Sequence, residues 1–264
     1  MSKCLKEVTS KMAKQLMIYE RAVPISAETH RDWSVKTGNN FSFAKDINSV
    51  PLLAAEFATA ALEHTIIFAG EGDAVFPSVI LGMQGNNNDH VNEDGTWKGR
   101  YVPAFLRRYP FVFSKSEDGE TFTLCIDEEF EGFNNEGKGE RLFDNEGGRT
   151  QYLETMLKFI QEYQNQFTRT QMFAKKLHEL ELLEPAQAEF QLAGKQSSLA
   201  GFQTINREKL KIDHVQKDLE DSKSFRSRVF FPYLHIIRTR RQQPAFHPNA
   251  FSSVLAVHRG VFGM

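Results

Sequence analysis

The run Trp97-Lys98-Gly99-Arg100-Tyr101-Val102-Pro103-Ala104-Phe105-Leu106-Arg107-Arg108-Tyr109-Pro110-Phe111 is the densest stretch of the chain, interleaving cations with aromatic rings. Phe105 and Phe111 have no polar handle and must be buried or held at an interface. The run therefore belongs in the folded centre, where its guanidinium groups need acids to satisfy them. Glu56 is the preferred partner for Arg107 or Arg108, because it sits in an apolar setting between Ala54, Ala55 and Phe57. Burial there raises a carboxyl pKa unless a cation pairs with it. Two readings stay open. The arginines can thread an aromatic core as structural cations, or rings and cations together can bind a ligand by stacking plus charge. The candidate ligand contacts are Glu56, Trp97, Tyr101, Arg107, Arg108 and Tyr109.

Working outward, Val50-Pro51-Leu52-Leu53 reads as a helix start with proline in the first turn, continuing to about Leu62. Ile66–Ala69 and 75–83 read as strands, the first half of the second at an edge or bent because of Pro77. Asn92-Glu93-Asp94-Gly95 is a tight turn with glycine where positive φ is needed. Val23-Pro24-Ile25 is extended, Ser26 is a helix cap, and 39–44 alternates like a strand. On the other side, 121–126 is a strand and 127–148 an acidic, glycine-bearing exposed loop. Leu153, Met156, Leu157, Ile160, Tyr163, Phe167, Phe173, Leu177, Leu180 and Leu183 follow helical spacing over 150–184. A break is expected at 168–170 and an end at Pro185. Short strands follow at 190–192 and 199–205, and Asn206 caps a helix to about Leu219. The fold class is α+β: a mixed or antiparallel sheet with a helix-rich middle segment and a single main core.

Composition narrows the function classes. The chain has 264 residues, 23 of them Phe, and a net charge of −2. No global basic field exists to collect nucleic acid. Cys4 and Cys125 are too few for a disulfide framework and have no zinc spacing. There is no apolar run of about 18 residues for a transmembrane segment, nor an N-terminal signal sequence. The expected location is cytoplasmic, with signal-less export to the cell surface as the alternative.

Catalytic motifs fail one by one. Gly70-Glu71-Gly72 lacks the third glycine of a dinucleotide fingerprint, and no phosphate loop or nucleophile elbow occurs. The histidines at 30, 64, 90, 178, 214, 235, 247 and 258 are scattered, so no metal and no cofactor is expected. His90 lies among Asp89, Asn92, Glu93 and Asp94, a hard-cation setting without the spacing of a calcium loop, and reads as a solvated turn. Asp127-Glu128-Glu129 with Glu131 reads as solvated surface.

Several strings together carry a family likeness: Val50-Pro51-Leu52 to Ala55-Glu56-Phe57, Gly95-Thr96-Trp97, Tyr101 to Phe111, Cys125-Ile126-Asp127, and Leu142-Phe143-Asp144. In order and spacing, residues 17–225 resemble the SapC family of bacterial proteins. The resemblance implies an accessory protein linked to surface-layer assembly or nutrient uptake, and it supplies no catalytic residues to carry over. The segments then divide into a disordered N-terminus at 1–16, a SapC-like domain at 17–225 and an atypical tail at 226–264. Within that tail, Arg238 to Ala250 resembles a fragment of sucrose-phosphorylase-type glycosidases, without their barrel or catalytic carboxylates. The expected role is non-catalytic, binding an unknown protein partner, a small molecule or a carbohydrate, with cell-envelope proteins as candidate associates. The alternative is an enzyme or a carbohydrate-binding regulator in glycan or nutrient metabolism.

Overall fold

A computed structural model describes residues 18–36, 38–83, 86–115, 121–192 and 195–210. The expected disordered N-terminus, the helix beyond Leu210 and the atypical tail lie outside the described residues. Every strand pairing among them is antiparallel, and helices stand beside the sheets, so the α+β reading holds. The chain divides into two compact units, Met1–Ala44 with Leu106–Tyr163, and Lys45–Phe105 with Gln164–Met264.

In the first unit, β1 (Ala22–Pro24), β6 (Phe111–Lys115) and β7 (Phe122–Asp127) form a sheet in the order β1-β7-β6. The short helix α1 (Ala27–His30) begins where Ser26 accepts from Thr29 N–H, as the cap residue predicts. A smaller sheet has the order β8-β2-β9, from β2 (Ser34–Val35), β8 (Phe133–Asn134) and β9 (Glu140–Arg141). These last two strands lie inside the stretch expected to be an exposed loop. Leu142 and Phe143 there are buried and join Val35, Phe111, Ile126, Leu153 and Ile160 in one apolar cluster. The glycines are what allow the segment to fold inward: Gly139 has φ +93°, and a Cβ on it would lie 2.2 Å from the Val35 carbonyl oxygen.

The second unit is built on β10-β11-β4-β5-β3, from β3 (Ser49–Pro51), β4 (Thr65–Ala69), β5 (Phe76–Ile80), β10 (Leu183–Leu192) and β11 (Lys195–Ile205). Pro51 sits in the edge strand β3 rather than starting a helix. An edge position tolerates its missing N–H, and the helical part shrinks to a 3₁₀ turn at Ala54–Glu56 and α2 (Phe57–Ala60). The alternation at 39–44 likewise ends as a 3₁₀ turn, Ser42–Ala44, in the first unit. β3 pairs only with Ser78–Ile80, so Pro77 lies past the end of that ladder and its carbonyl accepts from Leu52 N–H.

One helix, α4 (Gln151–Glu179), replaces the expected pair. Thr168 and Thr170 do not break it, because their hydroxyls donate back to the carbonyls of Gln164 and Gln166. Thr170 is fully buried, and its oxygen also accepts from Ala54 N–H at 2.9 Å, fixing the start of the 3₁₀ turn. The helix stops well before Pro185. Glu181 takes a left-handed conformation (φ 50°) and Leu182 N–H reaches back to the Leu177 carbonyl, a Schellman-type ending. Pro185 instead lies within β10, whose pairing with β11 makes one long hairpin of the two short strands expected. Ile67, Ala188 and Phe202 pack at the centre of that sheet.

Candidate functional site

The residues singled out from the sequence fall into two groups, three in each unit. Glu56, Trp97 and Tyr101 belong to the second unit; Arg107, Arg108 and Tyr109 belong to the first.

Glu56 ends the 3₁₀ turn and is buried. Its Oε2 accepts from Leu53 N–H at 2.9 Å, and its Oε1 accepts from Ala104 N–H at 2.7 Å and from the Tyr101 hydroxyl. Ala104 opens α3 (Ala104–Arg107), so one carboxylate ties two turn starts and a phenol together. Charge-assisted bonds to backbone N–H are among the stronger hydrogen bonds in proteins. Tyr101 is a second junction. Its carbonyl accepts from His64 Nε2 at 3.1 Å and Trp97 Nε1 at 3.0 Å, while its N–H and that of Arg100 donate to Glu63.

The residues before Tyr101 form a miniature hairpin. Val91 bridges Trp97, Lys98 N–H donates to the His90 carbonyl, and Asn92 N–H donates to the Thr96 carbonyl. Gly95 turns the chain at φ +84°, as its place in the sequence predicts. The hairpin lays the Trp97 ring nearly parallel to His90, with centres 5.3 Å apart and planes at 15°. His90 in turn meets His64, with ring centres 4.6 Å apart. Burial pushes His90 down to about 4, with His64 and Lys98 pushing the same way. Burial also lowers His64, against the Tyr101 carbonyl and Glu63. The expectation that His90 sits in a solvated turn is therefore corrected: the turn is real, but the ring is half-buried against two others. The His64–His90 meeting was not legible, because the two positions lie in separate loops and share no motif spacing.

In the first unit, Arg108 is buried, its guanidinium 4.6 Å from the Tyr163 ring centre and 5.7 Å from that of Tyr19. A planar, weakly hydrated cation suits such an aromatic setting. Arg107 is exposed and lies 5.4 Å from the Phe159 ring centre. Tyr109 stacks on Phe43 at 4.2 Å and donates its hydroxyl to Asp127 Oδ2 at 3.1 Å. Burial raises its phenol pKa, and the Asp127 carboxylate adds to that.

Asp127 corrects the reading of the acid run as solvated surface. It is fully buried and accepts from the N–H groups of Glu20 and Arg21, both at 2.9 Å. Glu128 is also engaged, in contact with Arg21 and with His30 Nε2 at 3.0 Å; Glu129 and Glu131 are exposed as expected. His30 Nδ1 lies 3.1 Å from Ser26 N–H. A neutral ring that donates from Nε2 and accepts at Nδ1 satisfies both contacts. Burial lowers the His30 pKa from 6.5, partly opposed by the Ser26 carbonyl. Below 6.5 the unfolded chain takes up a proton that the folded ring still refuses, so this contribution to stability is present above 6.5 and lost as the pH falls. Between about pH 7.5 and about pH 5.5, the wild type should lose more of its urea midpoint than His30→Gln. Equal losses would remove His30 as a source of the acid sensitivity.

Comparison with known proteins gives three results. Residues 25–222 match the SapC family. A glucosylglycerate phosphorylase from Spirochaeta thermophila is 41% identical over 61 residues, 23% of this chain and 10% of that enzyme. The chain thus spans about a tenth of that relative's length, in keeping with the fragment-like resemblance of the tail. No solved structure matches the chain. No described helix is long and apolar enough to cross a membrane.

Proposed function

Since the chain belongs to the SapC family, we propose that it is a non-catalytic accessory protein that acts by binding, in the service of surface-layer assembly or nutrient uptake. The observation that carries this reading is the use made of Glu56. A carboxylate poised for acid–base work needs a free face toward its substrate. Here both oxygens are engaged by Leu53 N–H, Ala104 N–H and the Tyr101 hydroxyl, all of them structural groups. In this reading Glu56, Tyr101, Arg108 and Tyr109 shape the aromatic segment from within. Half-buried Trp97 supplies the second unit with a ring that meets a ligand, and exposed Arg107 supplies the first unit with a separate surface cation. Rings and guanidinium groups of this kind suit a carbohydrate or the polar surface of an envelope protein. The functional body is residues 17–225, and its place of action is the cytoplasm, or the cell surface after signal-less export.

The test uses the purified full-length chain against a panel of mono- and oligosaccharides, followed by both calorimetry and mass spectrometry. Saturable binding without turnover, weakened in Trp97→Ala or Arg107→Ala, supports the reading. Conversion of any sugar, lost in Arg107→Ala, overturns it in favour of an enzyme of glycan or nutrient metabolism. Fractionation of the native cell supplies the second arm, since a chain recovered without any envelope protein would remove the surface-layer role.

A further inference from the structure

His64 is 5% exposed, and its Nδ1 is buried with no hydrogen-bond partner. The tautomer follows from the other nitrogen. Nε2 lies 3.1 Å from the Tyr101 carbonyl, which can only accept, so Nε2 carries the hydrogen and Nδ1 presents a bare lone pair. A buried acceptor left without a partner is costly, and native structures hold few of them. The neighbour of this ring is a second imidazole, His90.

We propose that His64 and His90 together form a binding site for a borderline divalent transition-metal ion of the Zn²⁺ class, with the remaining coordination positions taken by solvent. An ion about 2.0–2.1 Å from one nitrogen of each imidazole, at an angle between square and tetrahedral, sets the two ring centres about 4.5–5 Å apart. The observed separation is 4.6 Å. The outer bond of His64 is also the one that metal-ligating histidines make: the second ring nitrogen donates to a backbone carbonyl, which fixes the tautomer and the ring's orientation. His90 is positioned independently, by the hairpin and by the parallel Trp97 ring. Burial keeps both rings neutral, which is the form that ligates a metal.

The charges around the pair are Glu63, which favours a cation, and Lys98, which opposes one. Lys98 is drawn onto the Asp89 carbonyl at 2.7 Å. No group of three or more His, Cys, Asp or Glu able to hold a metal occurs among the described residues. Among the described residues the ion therefore has two imidazole ligands, fewer than the four of a structural zinc site, and solvent fills the rest.

The test titrates Zn²⁺ alone into the full-length chain by calorimetry. His64→Gln preserves an amide N–H for the Tyr101 carbonyl and removes the Nδ1 lone pair. His90→Phe preserves the ring against Trp97 and removes both nitrogens. The expected result is saturable binding that weakens tenfold or more in each variant. A location test needs neither variant. The chain has two tryptophans, Trp33 and Trp97, so in Trp33→Phe the emission of Trp97 stands alone. Co²⁺ should quench it and Zn²⁺ should restore it. Zn²⁺ affinity unchanged in either histidine variant, or Trp97 emission indifferent to Co²⁺, would overturn the proposal.

Discussion

Glu56→Ala should lower the stability of the folded chain by about 3–5 kcal/mol, the range seen when one member of a buried, fully bonded polar group is deleted. The magnitude follows from what remains behind. Leu53 N–H, Ala104 N–H and the Tyr101 hydroxyl all point at the missing carboxylate, and at least the two backbone donors cannot turn away. Tyr101→Phe is the control of intermediate size. It leaves Glu56 with both backbone donors and should cost about 1–1.5 kcal/mol, a single hydrogen bond. The double variant should cost less than the sum of the two, because the phenol has nothing to lose once the acid is gone. Urea unfolding of the four proteins measures this cycle. The sign also separates structure from chemistry, since deleting a strained active-site acid commonly leaves stability unchanged or improves it. A Glu56→Ala protein as stable as wild type would therefore reopen the enzymatic reading.

The parts of the fold that could be read from the sequence were those where one physical signal dominates. Helix α4 was legible because Leu153, Ile160, Phe173 and Leu177 recur on one face, and all four are buried. Strands β4, β5 and β7 were legible because each concentrates apolar residues of strand-forming type. The failures have equally specific causes. β10 and β11 are rich in Gln, Ala and Ser, so most of the long hairpin carries no hydrophobic alternation. Leu142 and Phe143 are an isolated apolar pair in a polar stretch, and their burial comes from the small sheet around Val35, which local sequence does not announce. Pro51 could have started a helix or ended an edge strand; sheet pairing with Ser78 chose the second. At the site, the burial of Glu56 was foreseen from its apolar neighbours. Its bond to the Tyr101 phenol was not, because any of several donors in the aromatic run could have served. Asp127 was missed for the opposite reason: its neighbours Glu128 and Glu129 made it look like one more surface acid.

Asp127→Ala should be the most disruptive change in the first unit, on the order of 3–5 kcal/mol, by the same logic of orphaned donors. It would strand the N–H groups of Glu20 and Arg21 and the hydroxyl of Tyr109. Asp127→Asn is the sharper probe, since it keeps the shape and an acceptor oxygen while removing the charge. Burial and then the Asp127 carboxylate hold the Tyr109 phenol well above 10.0. A phenol raised in this way disfavours the folded state once the unfolded chain begins to ionise. Its contribution is complete below pH 10 and lost as the pH rises through the folded value. Neutralising Asp127 should lower the Tyr109 transition toward its ordinary range, and Tyr109→Phe should reduce the alkaline slope of stability, leaving the part contributed by Tyr19 and Tyr152, whose phenols burial also raises. Phenolate absorbance and urea midpoints at rising pH read the two effects separately. Burial alone would leave the Tyr109 transition unmoved in Asp127→Asn, and that result would break the link between the strand-end acid and the aromatic run.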